Sequence, residues 1–184
     1  MASTQNEYMI RRILFILLLT GVLGSVQAQK GELSIGAGPL LSYPLGIESP
    51  FDSDLNPTLG LEGIGQYNFS VKSALLLKAT LASWGYKKRL RSFYENNRLT
   101  LLSFQGGYRY QFGTSGFFIN GLAGVDIDLK DNFTSGDFSL GGGKRFSMKE
   151  DRFIDAGIDL IGADAQARVN IRVIFSLFRK LAEN

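Results

Sequence analysis

The sequence predicts an all-β protein: a closed, eight-stranded, antiparallel up-and-down transmembrane β-barrel behind an N-terminal signal peptide. Three observations lead there. Apolar and polar residues alternate with period two in eight successive stretches, as in strands with one greasy face. The links between the stretches alternate between long and short, as in barrels with long loops at one end and tight turns at the other. The less greasy face carries small residues and charges of both signs, where a water-facing sheet would be crowded with Lys and Glu. A chain of 184 residues suits one domain. Its 22 glycines are spread through apolar runs, which disfavours helix.

The stretches follow in order. "GELSIGAGPL" sets Leu33, Ile35 and Ala37 against Glu32, Ser34 and Gly36. "TLGLEGIGQYNF" sets Leu59, Leu61, Tyr67 and Phe69 against Gly60, Glu62, Gln66 and Asn68. In "SALLLKATLASWGY", Leu75, Leu77, Ala79 and Leu81 oppose Lys78 and Thr80, with Leu76 blurring the phase. "LLSFQGGYRYQFG" alternates cleanly, with Phe104, Tyr108, Tyr110 and Phe112 on one face and Gln105, Arg109 and Gln111 on the other. "GFFINGLAGVDIDL" sets Phe117, Ile119, Val125 and Ile127 against Asn120, Asp126 and Asp128. "DFSLGGGKRF" is weak and glycine-rich. "RFIDAGIDLIG" opposes Ile154, Ile158 and Leu160 to Asp155 and Asp159. "ARVNIRVIFSLF" opposes Val169, Ile171, Val173, Phe175 and Leu177 to Asn170, Arg172 and Ser176.

The greasy face can look inward at a core or outward at lipid. The alternating charges form a candidate lumen network: Glu32, Glu62, Asp126, Asp128, Asp155 and Asp159 against Lys78, Arg109, Arg145 and Arg172. Mixed charges and small side chains fit an eight-stranded barrel, whose interior side chains can fill. A transmembrane strand needs only ~9–11 tilted residues. Tyr67, Phe69, Tyr108, Tyr110, Phe112, Phe175 and Phe178 cluster near short turns, where an aromatic girdle would meet the membrane interface. Girdle and topology favour the lipid-facing reading. A soluble periplasmic barrel holding a lipid inside is the alternative. Lys144 shares the greasy face with Phe138 and Leu140, a position tolerable only near an interface.

Residues 1–28 read as the signal peptide and residues 29–184 as the barrel domain. Arg11 and Arg12 precede an apolar run from Ile13 to Leu23. Val26 and Ala28 occupy the small-residue exit, so cleavage is expected after Ala28, with Met1 or Met9 as the start.

Composition excludes several chemistries. A net charge of +3 gives no argument for nucleic acid. The absence of cysteine removes disulfides and thiolate metal sites. The absence of histidine removes Ser-His hydrolysis and the commonest metal ligand. No cofactor and no enzyme activity are expected. "DSDLN" and "DIDLKDN" lack the full calcium-loop spacing, and "GGGKRF" lacks the Ser or Thr and the helix of a phosphate loop.

"GELSIGAGPLLS", "LLLKATLASWGYKK", "FFINGLAGVDIDL" and "NIRVIFSLF" together resemble the small outer-membrane β-barrel proteins of the PorT-like group, and more distantly the membrane domain of the OmpA family. The resemblance implies Gram-negative outer-membrane insertion, in a Bacteroidetes-type bacterium. Phe178 resembles the terminal aromatic that the outer-membrane insertion machinery reads, although "RKLAEN" follows it. The expected role is structural or adhesive through the loops, or accessory to envelope transport. Outer-membrane lipids are the expected surroundings. "KKRLRSFYENNR" is the candidate contact for lipopolysaccharide phosphates, through Lys87, Lys88, Arg89, Arg91 and Arg98.

Overall fold

In the computed structural model, which describes residues 31–45, 53–88, 98–130, 133–149, 152–163 and 167–180, eight strands follow one another around a barrel. They are β1 (Glu32–Pro44), β2 (Thr58–Asn68), β3 (Ser73–Gly85), β4 (Arg98–Phe112), β5 (Phe117–Asp128), β6 (Thr134–Lys149), β7 (Arg152–Ala163) and β8 (Arg168–Lys180). Each pairs antiparallel with the next, and β8 pairs antiparallel with β1, so no sheet edge remains open. Closure lets strand neighbours satisfy the backbone N–H and C=O groups without water.

The links keep the predicted rhythm. Short turns join β2 to β3, β4 to β5 and β6 to β7; longer links join β1 to β2 and β3 to β4. In the β4–β5 turn, Gly113 (φ +52°) and Gly116 (φ +74°) take left-handed conformations that a side chain would resist. At the opposite end, part of the β1–β2 link is ordered against the top of β3. Leu55 bridges Tyr86, and the Asn56 and Lys87 amides donate to the carbonyls of Gly85 and Asp54.

Three strands run three or more residues beyond their sequence patterns, among them β4, which starts at Arg98 and not Leu101. β1 runs on past Leu40, where its predicted stretch ends, to Pro44. Pro39 has no N–H, and the β1–β8 ladder skips Gly38 and Pro39 before resuming at Leu40 opposite Arg172. β6, the weak glycine-rich stretch, covers 16 residues. Its glycines make room for neighbours: a Cβ on Gly141 would strike the Asp159 carboxylate, and one on Gly143 would meet the Phe118 ring and the Ala156 carbonyl.

The faces sort by chemistry, with charge inside and hydrocarbon outside. Phe104 (48 %), Ile119 (52 %) and Val173 (38 %) are exposed, as are Leu59, Leu77, Phe138, Leu140 and Leu177. Leu76, whose phase was blurred in sequence, points inward and packs with Ile64, Leu122 and Ile174. Exposed aromatics gather near the short turns: Tyr67, Phe69, Tyr108, Phe112, Phe117 and Phe175. Phe69 and Tyr108 lie 6.0 Å apart, and Tyr110 meets Phe112 edge-on at 5.2 Å. The Phe178 side chain lies outside the described residues. Lys144 pairs across the ladder with Phe117, the first residue of β5. Its ammonium sits 5.0 Å from the Phe117 ring and 5.5 Å from that of Phe146, which places this charge within the aromatic band.

Gly124 faces Gln105 across β4 and β5, and a Cβ there would run into the Phe104 carbonyl and the Gln105 Cα. Gly124→Val is therefore expected to lower the unfolding free energy by at least about 1–3 kcal/mol. Gly136→Val, where an added Cβ meets open space, should change it little. Urea titration followed by the gel mobility of the folded barrel reads both.

Candidate functional site

The lumen holds three groups of buried ionic residues, stacked from the short-turn end to the long-loop end. In the first, the Asp155 carboxylate accepts from Arg109 Nη1 at 2.5 Å and from Arg145 Nε and Nη2 at 2.8 and 2.9 Å. Gln66 Oε1 accepts from both guanidiniums, at 2.8 and 2.9 Å, and Gln66 Nε2 donates to Asn68. Each guanidinium also lies over a buried ring: Arg109 over Phe118 at 3.9 Å and Arg145 over Phe153 at 3.7 Å. Arg109 and Asp155 are both 0 % exposed. An ion pair so deep is costly unless its geometry is good; here the Gln66 amide accepts from both guanidiniums and a ring lies under each, while Arg109 Nε and Nη2 make no hydrogen bond among the described residues.

The second group centres on Asp159. Lys78 Nζ reaches it at 3.2 Å, Asn120 donates to it at 3.2 Å, and Arg172 pairs with it directly. Arg172 Nε also lies 3.4 Å from Glu62, which accepts from Thr80. The third group lies below the long loops. Arg168 grips Asp126 with two parallel bonds of 2.7 and 2.8 Å, and Ser103 bonds to the same carboxylate. Asp137 accepts from Gln105 at 2.8 Å, with Arg168 at 3.7 Å. Trp84 lies 5.7 Å from the Arg168 guanidinium, and Leu55, Ala82, Trp84 and Leu101 form an apolar cluster there.

All ten residues of the predicted network are buried: Glu32, Glu62, Lys78, Arg109, Asp126, Asp128, Arg145, Asp155, Asp159 and Arg172. Asp128 accepts from the Lys130 amide at 2.9 Å, and Glu32 stands at the start of β1. The structure adds one residue of each sign, Arg168 and Asp137, both buried and paired. Each stands on the polar phase of its strand, Arg168 two residues before Asn170 and Asp137 two before Ser139. Alternation extended to the strand ends would have found them. Asp126, part of "DIDLKDN", is occupied by Arg168. Among the described residues, no group of three or more acidic side chains is arranged to hold a metal.

The basic stretch emerges at the opposite end from the aromatic band. Lys88 is exposed just past β3, beyond Lys87. Arg98 opens β4 and donates to the Ser83 hydroxyl at 3.1 Å and to the Ser83 carbonyl at 3.2 Å. Arg89, Arg91 and the proposed signal peptide lie outside the described residues.

No protein-family profile and no curated protein matches the chain. Solved structures do. The attachment invasion locus protein Ail of Yersinia pestis matches at a TM-score of 0.56 and 15 % identity, over 82 % of this chain and 100 % of that one. The same protein in complex with the heparin analogue sucrose octasulfate matches at 0.59 and 14 %, with the same coverage. Neisserial surface protein A matches at 0.57 and 10 %, over 83 % of this chain and 100 % of that one. The chain thus has the fold of the small eight-stranded transmembrane barrels.

Removing a buried charge partner should be costly. Asp155→Ala leaves Arg109 and Arg145 buried without their carboxylate and is expected to destabilise the barrel by about 3–5 kcal/mol. Asp155→Asn, which keeps an acceptor oxygen, should lose less. Equilibrium unfolding in detergent micelles, read by tryptophan fluorescence, checks the order.

Proposed function

We propose that this chain is a non-enzymatic integral outer-membrane barrel with a side-chain-filled lumen, acting through its long loops in adhesion, envelope structure or envelope transport. One observation carries the proposal: the barrel is turned inside out relative to a soluble one, with paired ions in the lumen and apolar side chains on the outer wall. Water surrounds a soluble barrel and would be met by that hydrocarbon wall; lipid suits it. A mid-bilayer Lys or Arg costs about 2–4 kcal/mol. The outward Lys144 accordingly stands in the aromatic band, over two rings.

Topology supports a direction. Short turns beside the aromatic band face the periplasm, and the long links with Lys87, Lys88, Arg89, Arg91 and Arg98 face outward, where they meet lipopolysaccharide phosphates. The outer-membrane insertion machinery is the partner in biogenesis. Ail has been solved with a sulfated heparin analogue, and a polyanion is likewise the class of ligand that these bases suit. The PorT-like group remains the family we propose, on the sequence motifs. Catalysis is not proposed, because the chain has no histidine and its buried carboxylates at the three centres are engaged by cations. A soluble lipid carrier is disfavoured for the same reason: a lipid in the lumen would have to displace those ion pairs.

Cell fractionation tests the location. The protein should pellet with outer membranes, resist extraction by salt, and migrate faster on SDS gels unheated than boiled. Recovery in the detergent-free periplasmic fraction would refute the proposal.

A further inference from the structure

One part of the outer wall is concave. Across β1–β4 the outward row is broken by small residues, among them Ala37, Gly63, Gly65, Ala79 and Gly106. A Cβ on Gly63 or Gly65 would meet nothing within 4 Å. The result is a groove of about 740 Å³, walled by Ile35, Leu77 and Phe104. It continues toward the long-loop end as a second depression of about 250 Å³ between Leu61, Leu81 and Leu102, sharing Ala37, Gly63 and Ala79 with the first. The opposite wall exposes bulky Phe138, Leu140, Leu160 and Phe175.

What stands above the groove gives it a polarity. The β3–β4 register sets Leu81 opposite Leu102, then Ser83 opposite Thr100, then Gly85 opposite Arg98. Ser83 and Thr100 share a 2.8 Å hydrogen bond, and Arg98 is held to Ser83 by its two bonds. Exposed Lys88 lies just beyond the end of β3. Ascending one wall, the order is hydrocarbon groove, hydroxyl pair, guanidinium, ammonium. That is the order of an outer-leaflet lipid read from chain to headgroup. A planar guanidinium fixed by a neighbouring hydroxyl loses little freedom on meeting a phosphate.

We propose that the β1–β4 wall binds one phosphorylated, multiply acylated glycolipid of the outer leaflet. An acyl chain lies in the groove over Gly63 and Gly65, and a headgroup phosphate rests on Arg98 and Lys88. The inference rests on the outer-membrane reading above and names the lipid partner of the basic rim. It predicts a lipid that stays with the protein through purification, unlike the exchangeable lipids along the rest of the wall.

The test titrates the refolded barrel with bisphosphorylated lipid A, dephosphorylated lipid A and phosphatidylglycerol, read by native mass spectrometry. The parent chain should hold bisphosphorylated lipid A at least about tenfold more tightly than phosphatidylglycerol. Gly63→Leu with Gly65→Leu fills the groove in open space, so the barrel should still fold and show heat-modifiable migration. Its affinity for both forms of lipid A should fall about tenfold. Lys88→Gln with Arg98→Gln should instead erase the preference for the phosphorylated form. Unchanged lipid A binding by the groove variant overturns the proposal, as does equal binding of phosphatidylglycerol by the parent chain. A base variant that keeps the phosphate preference overturns the headgroup assignment. Fractionation reads the outer-membrane location separately, so the two can fail independently.

Discussion

Eight strands closed into a barrel enclose a space that side chains fill. Once the inward rows carry charge, that narrow space imposes pairing, because an unpartnered ion cut off from water costs several kcal/mol. The arrangement of this protein follows from that constraint. Arg109 and Arg145 share Asp155 and stack on Phe118 and Phe153. Arg172 and Lys78 share Asp159, and Arg168 takes Asp126 with two bonds. Cations and anions come from different strands, and three of these pairs, Lys78–Asp159, Arg109–Asp155 and Arg168–Asp126, tie non-adjacent strands of the barrel together. Arginine predominates among the cations, and its planar fork can meet a carboxylate and a ring together.

Paired ions inside free the outer wall to be apolar, and the outer wall then divides by shape. Bulky side chains are exposed on both halves of the wall, and Gly63, Gly65 and Gly106 hollow the β1–β4 face between them. Glycine does different work at different positions of the wall. Gly124 and Gly143 sit where backbone or ring comes too close for a Cβ. Gly63 and Gly65 face open space, so nothing in the barrel requires their smallness. That contrast is the basis for assigning the hollow to something outside the chain.

Much of the fold was legible because period-two alternation survives in most strands and because link lengths betray direction. The ten lumen charges were readable as the polar phase of that alternation, and the structure places all ten inside. Four things were not legible, each for a physical reason. The C-terminal end of β1 was hidden because Pro44 suits a loop as well as the end of a strand. β6 was obscured because Gly141 and Gly143, which make room for Asp159 and Phe118, thin the inward polar row, while Gly142 and Lys144 interrupt the outward apolar one. Leu76 and Ile64 look wrong for a polar lumen until Leu122 and Ile174 appear beside them from distant strands. The groove was invisible in sequence, since it depends on which small residues four adjacent strands bring to one level.

Which face meets lipid is the claim beneath all of this, and the absence of cysteine makes it accessible to a single probe. Nitroxide labels on cysteines placed singly at Phe104, Ile119, Leu140 and Val173, in barrels reconstituted into bilayers, report whether oxygen or a water-soluble nickel chelate reaches them. The account predicts relaxation by oxygen and protection from nickel at all four. Relaxation by nickel across these positions, with oxygen no more effective than at the exposed Lys88, would mean that water lies against the outer wall, and would contradict it.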